Sequence, residues 1–410
     1  MNIRSLLVLP VLIVAAALSA GCRPETPVAP AAPAKATATK VGQWTNSPIG
    51  SPDFFPLCVW CQPPRLAEKY KAIGINTYVA IWHGPAEEDL ATLKKAGLKV
   101  FCDQNAVGLK HLDDPTIIGW LHGDEPDNAQ AKPKGQSGYD PPILPAKIIA
   151  DYKKFITADP TRPVMLNLGW GVAWDNWVGR GPRTNHPEDY PEYINGGDVV
   201  SFDIYPVNGD AAHPADLDNK LWLVPFGVDR LIKWGGGHKV VWDCIETTSF
   251  DGHGKPTPDQ VRTEVWMSLI HGSRGLIYFC HTFKPKSIEA GLLADKEMAA
   301  AVGKINQQIT DLAPVLNSPT LTDAVTVESS NKDVPVDFCV KMFNGVSYIF
   351  AVAMRDGPTK ATFTVKTLPG TPAGLAEVLG ENRTIVVKNQ QFTDEFKGYE
   401  VHLYKIPAAK

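Results

Sequence analysis

Short apolar runs alternate with amphipathic segments along most of the chain. The apolar runs are rich in β-branched and aromatic residues, which indicates buried strands, and the amphipathic segments repeat apolar residues at helical spacing. We predict eight strands, at residues 54–60, 75–82, 98–103, 117–125, 162–170, 198–206, 238–246 and 274–283. We predict helices at residues 64–74, 87–97, 145–159, 221–235, 257–272 and 295–311.

Strands that are apolar on both faces and separated by helices indicate a parallel sheet covered by those helices. Eight such repeats over roughly 265 residues match a (β/α)8 TIM barrel, which takes about 250 residues. A doubly wound open sheet is the alternative, but it normally has a Gly-rich phosphate loop after its first strand, and CVWCQPP has none. The predicted fold class is therefore α/β, with a TIM barrel over residues 48–315.

The pattern changes after Pro314 to shorter runs in which apolar and polar residues alternate, as in SYIFAVAM and YEVHLYKI. A period of two predicts strands with one buried face, and turn residues separate the runs. We therefore predict a small C-terminal antiparallel β-sandwich domain over residues 320–407.

The N-terminus has the form of a secretory signal over residues 1–21, with a charged MNIR followed by the apolar LLVLPVLIVAAALSA. Its ending, LSAGC, resembles a bacterial lipobox, which implies that Cys22 is lipidated; the alternative is a plain secretory signal with an incidental cysteine. Residues 22–47 are rich in Pro and Ala, which is typical of an extended tether. We expect an exported lipoprotein, anchored to the membrane and facing the periplasm or the cell exterior.

Composition excludes several functional classes. Lys and Arg number 40 against 44 Asp and Glu, so the chain has no basic footprint for nucleic acid. Cys58 and Cys61 form a CxxC pair, but no second pair follows that would complete a zinc site. Cys102, Cys244 and Cys280 lie in apolar runs, where cysteine serves as a small hydrophobe. Nothing in the sequence implies a metal or an organic cofactor.

Polar and aromatic residues collect at the predicted strand ends, where TIM barrels place their reacting groups. Flat aromatic faces beside hydroxyl-binding polar groups suit a sugar, and GWGVAWDNW adds tryptophans after strand five. We therefore expect an oligosaccharide or polysaccharide substrate. The candidate substrate-binding residues are Trp60, Trp82, His83, Asp103, Asp124, Asn167, Trp170, Asp203, Tyr205 and His281.

Two glutamates at strand ends, Glu125 after strand four and Glu246 after strand seven, are the candidate catalytic residues. Glycoside hydrolysis needs two carboxylates flanking one bond. Asp124 stands next to Glu125, and repulsion between two close acids favours retention of one proton, which a general acid requires. The alternative is that Asp124 caps a turn and Glu125 is a solvated surface acid.

Several short motifs resemble those of the clan A glycoside hydrolases. GDEPDN looks like the Asn-Glu-Pro motif of that clan, WDCIET like its strand-seven segment, and SFDIYP like a common strand-six ending. The resemblance covers roughly residues 50–315. It implies a retaining enzyme that cleaves β-glycosidic bonds by double displacement. It also implies that Glu125 is the acid/base, Glu246 the nucleophile and Tyr205 the partner of that nucleophile.

Two departures from the clan pattern leave alternatives open. Asp124 stands in the Asn place, and FCHTF lacks the usual strand-eight Trp. Adjacent Asp-Glu pairs also occur in barrels that cleave 2-acetamido sugars, where the acetamide of the substrate attacks and the Asp orients it. In such an enzyme Glu246 would be only a binding group. A non-catalytic carbohydrate-binding lipoprotein is the third possibility.

Overall fold

The computed structural model describes residues 44–133, 136–210, 212–250, 252–366 and 374–407. The predicted signal peptide, Cys22 and most of the predicted tether lie outside the described residues. Trp44, at the end of that predicted tether, is buried against the first domain. Among the described residues, no helix combines the length and apolar character needed to cross a bilayer.

Eight parallel strands form the first domain, as the alternation of apolar runs predicts. The seventh of these strands is interrupted at Trp242 and consists of two segments. The strands are β1 Leu57–Trp60, β2 Thr77–Val79, β3 Lys99–Cys102, β4 Ile117–Leu121, β5 Val164–Leu168, β6 Val199–Phe202, β7 Val240–Val241 with Asp243–Glu246, and β8 Leu276–Phe279.

The strands pair in sequence order and close into a barrel. β8 pairs with both β7 and β1, while β6 pairs with the first segment of β7. A further parallel bridge from Asp203 to Cys244 completes the junction between β6 and β7. The predicted (β/α)8 barrel is therefore confirmed. Its strands are shorter than the apolar runs, so the last residues of several runs lie in the loops above the barrel.

Helices cover the barrel; the six predicted helices occur in the predicted order, and the described residues form three further short α-helices that were not predicted. Thr257 caps the helix Pro258–His271 in a capping box with Gln260, and Pro258 occupies the first helical position. The helices are α1 Ala67–Lys71, α2 Glu87–Ala96, α3 Pro145–Ala158, α4 Tyr190–Tyr193, α5 Pro214–Leu217, α6 Leu223–Trp234, α7 Pro258–His271, α8 Gly291–Ala294 and α9 Lys296–Leu316.

The interior of the barrel is filled by side chains from neighbouring strands. β4 and β5 are buried at every position, which explains their continuous apolar sequences. Gly119 in β4 is required because a Cβ there would lie 1.9 Å from the ring of Phe101 in β3. The close approach of that ring fixes the packing beneath the end of β4, where Asp124 and Glu125 follow.

Two antiparallel sheets form the predicted C-terminal β-sandwich. One has the order β9–β12–β15 and the other β10–β11–β16–β13–β14. Phe363, Phe392 and Tyr404 pack between them, with ring centroids 4.7–5.4 Å apart. The strands are β9 Val325–Ser329, β10 Val336–Phe343, β11 Val346–Ala353, β12 Thr359–Val365, β13 Gly374–Val378, β14 Arg383–Val387, β15 Gln391–Phe396 and β16 Val401–Ile406.

Helix α7 carries most of the contact between the barrel and the sandwich. Trp266 packs on Phe350 of β11, and Thr263 donates to the Tyr399 carbonyl. At the end of α7, His271 lies 3.0 Å from Asp229 of α6 and 3.3 Å from Asp337 of β10. Burial of the His271 ring lowers its pKa, but the hydrogen bond that Nδ1 donates to Asp229 and the negative charges of Asp229 and Asp337 outweigh burial and raise the pKa to about 9.

We predict that His271→Gln destabilises the protein in a pH-dependent way. The pKa of His271 is raised above its value of 6.5 in the unfolded chain, so its stabilisation is complete below pH 6.5 and disappears as the pH rises through about 9. Thermal denaturation should show a loss of about 3 °C or more at pH 6 and a much smaller loss at pH 10. The exposed His238→Gln is the control; an equal loss at both pH values for His271→Gln would contradict the ion-pair role.

Candidate active site

Three carboxylates meet at the C-terminal ends of β4 and β6, and the amide of Asn167 in β5 lies between two of them. Its Nδ2 donates to Asp124 Oδ1 at 2.9 Å and to Asp203 Oδ1 at 3.1 Å. Ser201 Oγ donates to Asn167 Oδ1 at 2.6 Å, which fixes the orientation of the amide. Because β4, β5 and β6 are neighbours in the barrel, residues distant in sequence converge at this point.

Tyr205 supports the Asp203 carboxylate from the other side. Its hydroxyl donates to Asp203 Oδ2 at 2.8 Å, and its ring is almost fully buried. Asp203 thus accepts hydrogen bonds at both oxygens, from Asn167 and from Tyr205. The predicted partner of Tyr205 was Glu246; the observed partner is Asp203.

Glu125 is held in a strained backbone conformation, with φ of 39° in the left-handed region. A non-glycine residue there costs energy, and such strain concentrates at functional sites. Asn128 Nδ2 donates to Glu125 Oε2 at 2.9 Å, and Trp177 Nε1 donates to Asn128 Oδ1 at 2.9 Å. The side chain of Glu125 is therefore oriented by a chain of contacts that starts on the loop after β5.

The environment of Asp124 and Glu125 favours protonation. Burial and the charge of Asp203 raise the pKa of Asp124 to about 7. Burial, followed by the charges of Asp203, Asp124 and Asp127, raises the pKa of Glu125 well above its ordinary value. Asp124 nevertheless remains accessible to solvent and Glu125 is half-buried. A pair that solvent reaches but protein surrounds lies on the floor of a recess, where it can hold a proton near neutral pH.

Aromatic rings form a continuous wall beside these acids. Trp177 stacks on Trp170 at 4.7 Å, and Trp170 meets Tyr205 edge-on at 6.0 Å. Neighbouring centroids in the rest of the wall lie 5.2–6.1 Å apart. The rings in this part of the wall are, in spatial order, those of Tyr205, Phe250, Phe279, His281 and Trp82.

The remaining predicted substrate-binding residues lie on the opposite rim. Trp82 is 55% exposed, and His83 and Asp103 are exposed beside it. Trp60 is half-buried at the end of β1. His281 is buried, and its Nε2 lies 3.2 Å from Gln62 Nε2. The predicted groups therefore surround the barrel mouth, but hydrogen bonds join only Asp124, Asn167, Asp203 and Tyr205 directly.

The contacts of Glu246 differ from those of the other three carboxylates. Its side chain accepts from Val207 N at 2.6 Å, from Asn208 N at 2.8 Å and from Asn208 Nδ2 at 2.6 Å. It is 1% exposed, and it interacts with the buried Glu264 of α7. Burial is the main cause that raises the pKa of both glutamates. In this conformation Glu246 anchors the loop after β6.

Sequence reasoning did not identify Asn128, Asp127 or Phe250 as site residues. Asn128 lies three residues after Glu125, so its spacing offered a signal. Asp127 is buried and accepts from Gly169 N and from the Tyr190 hydroxyl, which ties the β4 loop to the β5 loop. Phe250 follows β7 in a segment without a recognisable motif, and only the fold brings it to Tyr205.

Within the described part of the chain, no group of three His, Cys, Asp or Glu side chains is arranged to hold a metal ion. The cysteines of that part are buried and free, so none forms a disulfide with another; they are Cys58, Cys61, Cys102, Cys244, Cys280 and Cys339.

Solved structures with the same overall fold share little sequence with this chain. A putative alpha-galactosidase from Bacteroides fragilis has a TM-score of 0.52 at 9% identity, over 87% of this chain and 80% of its own. AmyP in complex with maltotriose has a TM-score of 0.52 at 9% identity, over 88% of this chain and 98% of its own. No family model matches the chain, and no curated protein matches it. At this identity the likeness establishes the fold alone.

We predict that Glu246→Ala strongly destabilises the protein. Three buried donors would lose their acceptor, at a cost on the order of 3 kcal/mol. Urea denaturation should show a much smaller loss for Glu246→Gln, which keeps one acceptor oxygen. Glu377→Ala, which removes an exposed ion pair with Lys405, is the control and should change little. Wild-type stability of Glu246→Ala would show that this carboxylate is no anchor.

Proposed function

We propose that the protein is a glycoside hydrolase that acts on an oligosaccharide or polysaccharide, with Glu125 as its acid/base. The observation that carries the proposal is the meeting of Asp124, Glu125 and Asp203 beside the aromatic wall, where burial and the charge of Asp203 raise the pKa values of Asp124 and Glu125. An aromatic face can stack on the C–H face of a sugar while the carboxylates meet its hydroxyls. A raised pKa on an oriented glutamate is what proton donation near neutral pH requires.

The similar solved structures are consistent with this proposal. Besides the alpha-galactosidase and the maltotriose complex, they include a maltogenic alpha-amylase from Thermotoga neapolitana. These names concern those proteins, and they support a saccharide substrate here because the same overall fold carries carboxylates and aromatic rings at the barrel mouth of this chain. Since the alpha-galactosidase and the alpha-amylase are named for alpha-linked sugars, both anomers belong in any substrate test.

In the proposed reaction, Glu125 transfers its proton to the glycosidic oxygen as the bond to the anomeric carbon breaks. Water then adds its hydroxyl to the anomeric carbon and returns its proton to Glu125, so that the overall reaction is hydrolysis. Burial raises the pKa of Asp203, but Asn167 and Tyr205 donate to its two oxygens and favour the ionised form, so we assign Asp203 a negative charge beside the reacting sugar. That charge favours a developing oxocarbenium ion and keeps the proton on Glu125.

The identity of the second catalytic group separates two versions of the proposal. The clan A resemblance supports double displacement on a β-glycoside with Glu246 as the nucleophile. The contacts of Glu246 favour the other version, because its oxygens already bind the loop at Val207 and Asn208. In that version Asp124 accepts the N–H of a 2-acetamido group, the acetamide oxygen attacks the anomeric carbon, and Glu125 protonates the leaving group.

We predict that Glu125→Gln lowers kcat by a factor of about 10² to 10⁴, the usual contribution of a general acid. The assay uses phenyl glycosides of glucose and galactose in both anomers, and the phenyl β-glycoside of N-acetylglucosamine, because a phenol leaving group needs the proton of the acid. Circular dichroism would check the fold of the variant. Full activity of Glu125→Gln on a cleaved substrate would exclude it as the acid.

Glu246→Gln separates the two versions on the same substrates. If the acetamide attacks, turnover should be confined to the acetamido sugar, and Glu246→Gln should keep its kcat within a few-fold. Turnover of a plain β-glycoside that Glu246→Gln abolishes would instead establish double displacement. Loss of turnover must be compared with the stability of the variant, since Glu246 also anchors a loop.

We predict that Asn128→Ala shifts the alkaline limb of the pH–rate profile to higher pH. Asn128 donates to the Glu125 carboxylate and so lowers its pKa; without that donor the pKa rises and the acid stays protonated further into the alkaline range. The exposed Asn195→Ala is the control. A shift to lower pH would contradict Glu125 as the titrating acid.

We also propose that the enzyme is an exported lipoprotein held to a membrane through Cys22. The lipobox-like LSAGC and the Pro/Ala-rich segment after it support this proposal. Cys22→Ser should move the protein from the membrane fraction to the soluble fraction, and the acylated N-terminal peptide seen by mass spectrometry should disappear. Recovery of the wild-type protein in the soluble fraction would contradict the anchor.

A further inference from the structure

A shallow depression of about 310 Å³ lies between the loop after β5 and helix α6, outside the recess that holds the carboxylates. From the sequence we expect the tryptophans of the loop after β5, Trp174 among them, to contact a sugar, but the proposed reaction does not use the depression. Its volume is at the lower end of the range for small-molecule sites. The side chains that matter here are Trp174, Asp175, Asp216, Trp222, Phe226 and Arg230.

Aromatic rings line the depression, and one of them is fixed by the β-sandwich. Phe226 is 41% exposed on α6, and Trp222 meets it edge-on at 6.3 Å. Arg355, which follows β11 of the sandwich, places its guanidinium 4.5 Å from the centre of the Trp222 ring. A ring held in this way is a preorganised surface, so a ligand that stacks nearby need not order it.

The polar groups of the depression are fixed as well. Arg230 Nη1 donates to Asp175 Oδ1 at 2.7 Å, and the Arg230 guanidinium also lies over Phe226 and Trp234. Arg230 and Asp175 neutralise each other, and Asp216 adds one acidic charge. The depression therefore does not favour an anion. Apolar faces beside fixed donors and acceptors suit a neutral polyhydroxylated ring.

The depression continues the aromatic wall of the recess. Trp174 lies 5.9 Å from Trp177, which stacks on Trp170 at 4.7 Å. Trp170 contacts Tyr205, whose hydroxyl donates to Asp203. The line of rings thus runs from the depression to the carboxylates. A ligand with repeated, similar units could occupy both ends of that line.

We infer that the depression is a remote saccharide subsite, which binds a sugar unit of the chain whose glycosidic bond lies at Glu125. The inference rests on the proposed function and deepens it, because a remote subsite is useful only for a polymeric or oligomeric substrate. Linked binding at two places strengthens the whole interaction without any new contact at the cleaved bond. The β-sandwich takes part by fixing Trp222 through Arg355.

Affinity electrophoresis of the full mature chain tests the inference without requiring turnover. The native gels contain soluble starch, laminarin, arabinoxylan or glycol chitin. The wild-type protein should be retarded in at least one gel, and Phe226→Ala should weaken that retardation at least about fivefold. Phe226→Tyr keeps the flat ring and should restore binding. Val386→Ala removes another exposed apolar side chain, in the sandwich, and should bind like the wild type.

Retardation of Phe226→Ala equal to that of the wild type would overturn the inference, as would a wild type that none of the four polysaccharides retards. Thermal denaturation of Phe226→Ala would check that this variant is folded. If it is unfolded, the test rests on Phe226→Tyr, which keeps the flat ring and should be retarded like the wild type. Binding that depends on Phe226 without any glycoside turnover would overturn the proposed hydrolase activity alone. Turnover with binding that is indifferent to Phe226 would overturn only the remote subsite.

Discussion

The site depends on one amide that holds two carboxylates which would otherwise repel each other. Asn167 Nδ2 donates to both Asp124 and Asp203, and Ser201 fixes which end of the amide faces them. Two unit charges about 4 Å apart near a protein surface interact by about 4 kcal/mol, which is a large part of the stability of a domain. Burial disfavours the charged forms of Asp124 and Glu125, and repulsion from Asp203 adds to that effect, so the pKa values of both acids are raised.

The barrel supplies the support that such a cluster needs. Every residue of β4 and β5 is buried in the core. The close approach of the Phe101 ring to Gly119 restricts the packing beneath the β4 loop. That rigidity can hold Glu125 at a positive φ, a conformation that a loose loop would abandon. The proposed acid is therefore oriented by strain and by Asn128, and its proton is retained by its neighbours. The same scaffold aligns the aromatic wall with the acids.

The sequence predicts the barrel, its strand order and the position of the acids because period and length determine them. Parallel strands in sequence order bring the ends of β4, β5 and β6 together, so Asp124, Asn167 and Asp203 were expected to share one rim. The hydrophobic pattern does not determine the direction in which a side chain at a strand end points. Glu246 follows an apolar strand as Glu125 does, yet the main chain at Val207 and Asn208 binds it. Such a contact depends on a loop conformation that no repeat in the sequence specifies.

Proton donation by Glu125 is tested most directly by the dependence of the hydrolysis rate on the leaving group. The measurement compares kcat/KM of the wild type and of Glu125→Gln for phenyl, p-nitrophenyl and dinitrophenyl glycosides of the best substrate. Dinitrophenol leaves without protonation, so the variant should nearly match the wild type on that substrate. On the phenyl glycoside it should be slower by a factor of about 100 or more. An equal loss on all three substrates would contradict the role of Glu125 as the acid.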